Sequence, residues 1–249
     1  RNSWSPAGRP ATPRQWHTAT LLPSGKVLVV GGKRSEKAGA SVDISSAELY
    51  DPSNNTWSSA GSLAKARSEH TATLLPDGKV LIAGGDEDNK LFSVEVYDPS
   101  SNTWSALGGG GSPHKAHTAT LLLNGKVLFV AGRDKSNYLS STFLYDYPRD
   151  TWSATNGLAT PRQWHTATLL PTGKLLVAGG LGQAGFLSSA ELYNPSSYTW
   201  TAAHRLETPR QCHTAALLPG GKILFAGGSD GVNVSGHELY DPSRATEAR

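Results

Sequence analysis

The chain has 249 residues, enough for one large domain or two small ones, and 37% of them are apolar. No apolar run reaches the roughly 18 residues that a membrane-spanning helix needs. The formal charge of +3 is spread along the chain and not gathered into the stripe that nucleic acid requires. The 27 Gly and 15 Pro suit a turn-rich all-β protein better than a helical one. Cys212 is the single cysteine, so no internal disulfide can form. No secretory or transit segment is visible, and Met is absent even at position 1. A processed chain or a piece of a longer one is therefore expected, with a secreted or cell-surface setting.

The elements follow in order. The chain begins with Asn2-Ser3-Trp4-Ser5, a short polar–aromatic strand pattern. Residues 17–22 alternate and are β-branched, which predicts a strand. Pro23-Ser24-Gly25-Lys26 is a tight turn, and the apolar run 27–30 reads as a strand buried on both faces. Gly31-Gly32 lets the backbone leave the sheet close to a neighbour. A variable loop leads to a third strand from Ser46 to Tyr50. After the turn Asp51-Pro52-Ser53-Asn54, Thr56-Trp57-Ser58 forms a short outer strand.

This cassette recurs. Its His falls at 17, 70, 117, 165 and 213, and its Trp at 4, 57, 104, 152 and 200; both series step by 53, 47, 48 and 48. Two markers that keep step over the whole chain define an internal repeat. One such four-stranded unit cannot bury both faces, whereas radial stacking about an axis buries them all. The expected fold is an all-β, five-bladed β-propeller of four-stranded antiparallel blades, forming one domain over 1–249. Blade 1 is set at about 17–59, blade 2 at 70–106, blade 3 at 117–154, blade 4 at 165–202 and blade 5 at 213–243. The fifth cassette stops at Tyr240-Asp241-Pro242-Ser243, so the N-terminal strand 2–5 is expected to close the last blade. The expected state is a monomer.

The double Gly, the Tyr-Asp-Pro and the Trp a few residues later resemble kelch repeats. The stretch from Arg14 and His17 to Gly31-Gly32 looks particularly like the bacterial and galactose-oxidase branch of that family. The resemblance covers nearly the whole chain and implies a propeller. It is compatible with enzymes, glycan binders and protein-interaction domains alike. In galactose oxidase a Tyr-His pair at the place of Trp16-His17 ligates copper. No cassette here has Tyr before the His, so a copper-radical site is not expected. In kelch propellers one rim carries the loop entering the innermost strand and the loop after Gly-Gly. Here that rim holds nearly all the variation, at 33–45, 86–91, 133–140, 181–187 and 229–234, and ligand binding is expected there.

Several residue sets could carry chemistry on that rim. His17, His70, His117, His165 and His213 should stand at equivalent places on the innermost strands. Two readings are open: a ring holding a transition metal (Zn, Cu or Fe), or imidazoles hydrogen-bonded within the architecture. Arg14, Arg67, Arg162 and Arg210, with His114 in blade 3, precede the His by three residues. They resemble channel-mouth arginines that hold acidic partners, and bonding between loops is the other reading. The residue before each His breaks the repeat: Trp16, Glu69, Ala116, Trp164 and Cys212. The two Trp could stack on a ligand, Glu69 is the candidate general base, and Cys212 is a nucleophile or a small filler. Lys33, Arg34 and Lys37 make one loop basic, and Asp86, Glu87 and Asp88 make the next acidic, a cluster without the spacing of a dedicated calcium loop. The leading expectation is a non-catalytic propeller that binds a protein or peptide, a glycan or an anionic small molecule at the channel mouth. The rivals are a metal-dependent enzyme using part of the His series with Glu69 as acid or base, and a structural or adhesive module of a surface protein.

Overall fold

The computed structural model of the chain describes residues 4, 6–36, 39–85, 92–110 and 115–244. The fold is all-β, a five-bladed propeller built from antiparallel sheets. Two compact units divide the chain, 1–113 with blades 1 and 2 and 114–249 with blades 3 to 5. No described helix is long and apolar enough to cross a membrane. Single 3-10 turns stand at Tyr147–Arg149 and Pro242–Arg244.

In the first unit, blade 1 pairs Thr18–Leu21, Val27–Val30, Ser46–Asp51 and Thr56–Ser62 in that order. Blade 2 pairs Thr71–Leu74, Val80–Ala83, Val94–Asp98 and Thr103–Leu107. In the second unit, blade 3 runs Thr118–Leu121, Val127–Arg133, Tyr138–Asp146 and Thr151–Thr155. Blade 4 runs Thr166–Leu169, Leu175–Ala178, Ala190–Asn194 and Thr199–Ala203. Blade 5 has three described strands, Thr214–Leu217, Ile223–Ala226 and His237–Tyr240.

Three details depart from the sequence reading. The outer strand of blade 1 extends to Ser62, with an irregularity between Ser46 and Glu48 that absorbs the extra length. Two of the variable loops contain small hairpins, Lys33–Ser35 with Ser41–Asp43 and Leu181–Gly182 with Gly185–Phe186. The strand expected at 2–5 is not formed at Trp4, which lies outside every strand with its side chain fully exposed; Asn2, Ser3 and Ser5 fall outside the described residues.

The second strand of each blade forms the core because both its faces are covered. Leu28, Leu81, Leu128 and Leu176 are at most 1% exposed. The Pro-x-Gly-Lys turn closes by Leu22 N–H to the Lys26 carbonyl at 2.8 Å, with Gly25 at φ 82°. Beyond the strand, a Gly donates to the Arg carbonyl of the next blade in three places: Gly32 to Arg67, Gly132 to Arg162 and Gly180 to Arg210, all at 2.8 Å. Gly180 sits at φ 103°, and a Cβ there would lie 2.5 Å from the Gln163 carbonyl oxygen. Gly180→Ala is therefore expected to cost at least ~2 kcal/mol, through positive φ and backbone overlap together. Urea unfolding measures it, and a loss below half that size would show that the strand entry can shift.

Candidate functional site at the loop-bearing rim

Three of the four recurring arginines are the largest fully buried side chains among the described residues. Arg67 and Arg162 are 0% exposed and Arg210 1%. Each guanidinium bonds two carbonyls and a Glu carboxylate within its own blade, and all but Arg210, where Gly236 replaces the Ser, add a Ser hydroxyl. Arg162 donates to the Gly179 and Ser189 carbonyls at 2.9 Å, to Ser189 Oγ at 3.0 Å and to Glu191 Oε1 at 2.8 Å. Arg14 pairs with Glu48, Arg67 with Glu95 and Arg210 with Glu238 in the same way. The carboxylate in turn accepts backbone N–H groups from the turn that precedes the Arg, Ala159 and Thr160 in blade 4. The fork thus ties the innermost-strand entry to the third strand. The terminal guanidinium nitrogens of Arg14, Arg67, Arg162 and Arg210 thus face partners inside the blade, the bonding between loops that was the second reading of this series, while Nε of Arg14 and of Arg67 has no partner. His114, the blade 3 counterpart, lies outside the described residues, as do Lys37 and the acidic residues Asp86, Glu87 and Asp88.

The Glu partner was legible and was missed. Glu48, Glu95, Glu191 and Glu238 recur two residues before the blade Tyr, and the one cassette that lacks the Arg also has Phe143 in place of the Glu. Loss of both partners together is the signature of a pair.

The histidines bridge blades. His70 Nε2 lies 2.9 Å from Thr18 Oγ1, His165 Nε2 3.0 Å from Thr118 Oγ1, and His213 Nε2 2.9 Å from Thr166 Oγ1. Nδ1 of His70 and of His165 is buried without a partner. An orphaned acceptor costs less than an orphaned N–H, so the hydrogen belongs on Nε2, donating to the threonine. Burial, reinforced by the Arg67 guanidinium, pulls His70 down to about 3. Burial and Arg162 do the same to His165, to about 3, and burial and Arg210 bring His213 to about 4. These rings are neutral at ordinary pH. His17 is exposed, and His117 is buried. The metal reading of the His series finds no geometric support: the bridging nitrogens point at neighbouring blades, and no three His, Cys, Asp or Glu among the described residues converge on one point.

The residues that break the repeat share one backbone state. Trp16, Glu69, Ala116, Trp164 and Cys212 all lie at φ between 52° and 57°. Left-handed backbone is costly for a non-glycine residue and persists only where its surroundings impose it. Here a hydrogen bond from blade to blade imposes it. In the first unit the Glu69 N–H donates to the Trp16 carbonyl at 3.2 Å. In the second, Trp164 donates to Ala116 and Cys212 to Trp164, each at 3.1 Å. The node fixes the backbone and leaves the side chain free to differ.

In the second unit Trp164 holds this node in blade 4. The Arg133 guanidinium carbon lies 5.9 Å from the centre of its indole. Trp164 Nε1, Gln163 Oε1 and Gln211 Oε1 are buried and unpartnered. Arg133 and the two Gln were missed in the sequence. The available signal was position: Lys33, Arg133, Leu181 and Ser229 follow the double-Gly site, vary as freely as the node, and bridge to the residue just before it. Cys212 is exposed, but its neighbour His213 has Nε2 engaged by Thr166, which removes that nitrogen as an activating base. Glu69 occupies the node in the first unit, half-buried.

Radially repeated blades locked by a buried Arg–Glu fork and a double Gly define a repeat propeller. The chain belongs to the kelch-repeat family: the KLHDC2/KLHL20/DRC7 Kelch-repeats domain matches residues 1–158. Among characterised proteins it is 36% identical over 73 residues to tRNA wybutosine-synthesizing protein 4 of Saccharomyces cerevisiae, a match covering 29% of this chain and 10% of that protein. It is 31% identical over 81 residues to Kelch domain-containing protein 1 of Mus musculus, covering 32% of this chain and 19% of that one. The matches thus span only a small part of these relatives. The solved structure of YjhT shares the fold, with a TM-score of 0.79 at 17% identity over 97% of this chain and 86% of that one. Kelch propellers are generally protein- or ligand-binding modules.

Proposed function

We propose that this propeller binds an extended peptide segment of a partner protein at the loop-bearing rim, with Trp164 as the platform in the second unit. The observation that carries this is the cluster of buried, unpartnered polar atoms at Trp164, Gln163 and Gln211. One indole donor and two amide side chains beside an aromatic face match the alternating donors and acceptors of a peptide backbone. The anionic-ligand reading loses its basis, because the arginine forks that would have held the anion are paired with Glu. A metal-dependent reaction on the His series loses its basis in the same way. A glycan remains the second reading, since an indole also stacks on a sugar face.

Trp16 is 52% exposed and Trp164 half-buried on the rim. Truncating an exposed side chain leaves stability within about 1 kcal/mol, so Trp16→Ala isolates binding from folding. Binders selected against the wild-type chain from peptide and oligosaccharide libraries are expected to lose at least 10-fold in affinity on Trp164→Ala, a loss of ~1.4 kcal/mol. The class of the surviving binders separates peptide from glycan. Binders that ignore both Trp substitutions would remove the rim from consideration.

A further inference from the structure

The rim of the second unit changes chemistry from blade to blade. In blade 3, Lys115 stands opposite Arg133 and Arg133 opposite Tyr138. In blade 4 the same places hold Gln163, Leu181 and Phe186. Residues directly opposite in an antiparallel pair put their side chains on one face. Each row therefore has one chemistry: the first is cationic and ends in a phenol, and the second carries no charge.

Both rows turn towards the next blade. Arg133 reaches the Trp164 indole of blade 4, 5.9 Å from guanidinium carbon to ring centre. Phe186 reaches the loop of blade 5, where a Cβ on Gly231 would lie 3.3 Å from Phe186 Cε2. Blade 5 meets this second seam with Cys212, whose N–H donates to the Trp164 carbonyl at 3.1 Å, and with Val232, 76% exposed beside Gly231. In the second row Gln163 is 4% exposed, with its Oε1 unpartnered. The carboxylates nearest in sequence, Asp134 and Asp230, turn back on their own loops and accept N–H groups of Ser136, Asn137 and Val232. One seam is thus cationic and aromatic, and the other is apolar with a buried amide oxygen.

We propose that the peptide bound at this rim carries an acidic side chain at the seam between blades 3 and 4 and a large apolar side chain at the seam between blades 4 and 5. The assignment rests on the peptide reading above and adds the order of its side chains. A carboxylate gains charge-assisted contacts from Lys115 and Arg133. Between Leu181 and Phe186 the same carboxylate would lose water and meet no cation. An apolar side chain gains burial there and gains little over Lys115. The Trp164 N–H is bonded to blade 3 and its carbonyl to blade 5, so a segment crossing this residue meets both seams.

A phage-displayed random-peptide library, selected on the full chain and filtered for loss of binding on Trp164→Ala, tests the order. The surviving peptides are expected to share an Asp or Glu and, at a fixed spacing from it, a Leu, Ile or Phe. Exchanging that apolar residue for Glu in a synthetic survivor should weaken binding to the wild-type protein at least ~10-fold. Folded Leu181→Lys protein should restore the exchanged peptide, since Lys33 already holds this place in blade 1. Arg133→Leu should make the reciprocal change and abolish the preference for the acidic residue. Cys212 is the single cysteine and is exposed, so a bound survivor should also slow its alkylation by N-ethylmaleimide. Survivors without the acidic and apolar order, a Glu exchange that costs nothing or that folded Leu181→Lys does not restore, or unchanged Cys212 labelling would each overturn the assignment and leave Trp164-dependent peptide binding standing. An absence of any Trp164-dependent peptide would overturn the peptide reading itself, and this assignment with it.

Discussion

Arg162→Ala is expected to lose ~3–5 kcal/mol of stability, a large part of the ~5–15 kcal/mol that holds a typical domain together. The substitution leaves the Glu191 carboxylate buried, 6% exposed, with two backbone N–H donors and no cation. It also strips the donors from the Gly179 and Ser189 carbonyls. Glu191→Leu should be costly for the mirror reason, since it strands the guanidinium. The double variant Arg162→Leu/Glu191→Leu should be milder than the sum of the singles by at least ~2 kcal/mol, because no uncompensated charge then remains. Blade 3 is the natural precedent, with His114 and Phe143 at these two places. Urea unfolding of the three variants reads the result directly. Additive losses would mean that the pair does not act as a unit. An Arg162→Ala protein of wild-type stability would return the arginine to the list of ligand-binding candidates.

The second large effect is acid sensitivity that begins well above the carboxylate range. In the unfolded chain each His takes up a proton near its ordinary pKa of 6.5. In the folded protein His70 and His165 do so only at about 3, and His213 at about 4. Protons therefore favour the unfolded chain. The stability contribution is complete above pH 6.5 and is lost as pH falls towards 3–4. Each ring contributes a slope of up to about 1.4 kcal/mol per pH unit. Three rings together give ~4 kcal/mol per unit between pH 6 and 4, enough to unfold the protein in that window. The folded-state depression of Asp51, Asp98 and Asp241, each held down first by its turn Ser hydroxyl, acts only below their ordinary 3.8 and is a separate event. Urea midpoints at pH 7, 5.5 and 4.5 test the slope. His165→Gln should flatten it by a third. A flat profile down to pH 4.5 would mean that the imidazoles are hydrated in the folded state.

Much of the architecture was legible because the chain states it five times. The spacing of His and Trp, the Pro-x-Gly-Lys turn and the apolar second strand each follow from local chemistry: positive φ at Gly25, burial on both faces at Leu28. The candidate site was harder to read. Repetition drew attention to the His and Arg series, yet a residue needed in every blade is needed by the blade. Glu191 lies 29 residues from Arg162, and Thr118 lies 47 from His165. Spacing along a chain does not reveal which of many carboxylates or hydroxyls will meet a given side chain.

By itself, then, the sequence determined the repeat, the strand pattern within a blade and the positions where the repeat fails. Those features depend on neighbours two to six residues away, through turn geometry and alternation. Only the tertiary structure decided that the arginines face Glu inside the blade and that the histidines reach Thr across to the next. It also decided that the failing positions share a left-handed backbone. Burial makes that difference: a guanidinium is a ligand clamp when exposed and a structural tie when enclosed, and enclosure exists only once the sheets have packed.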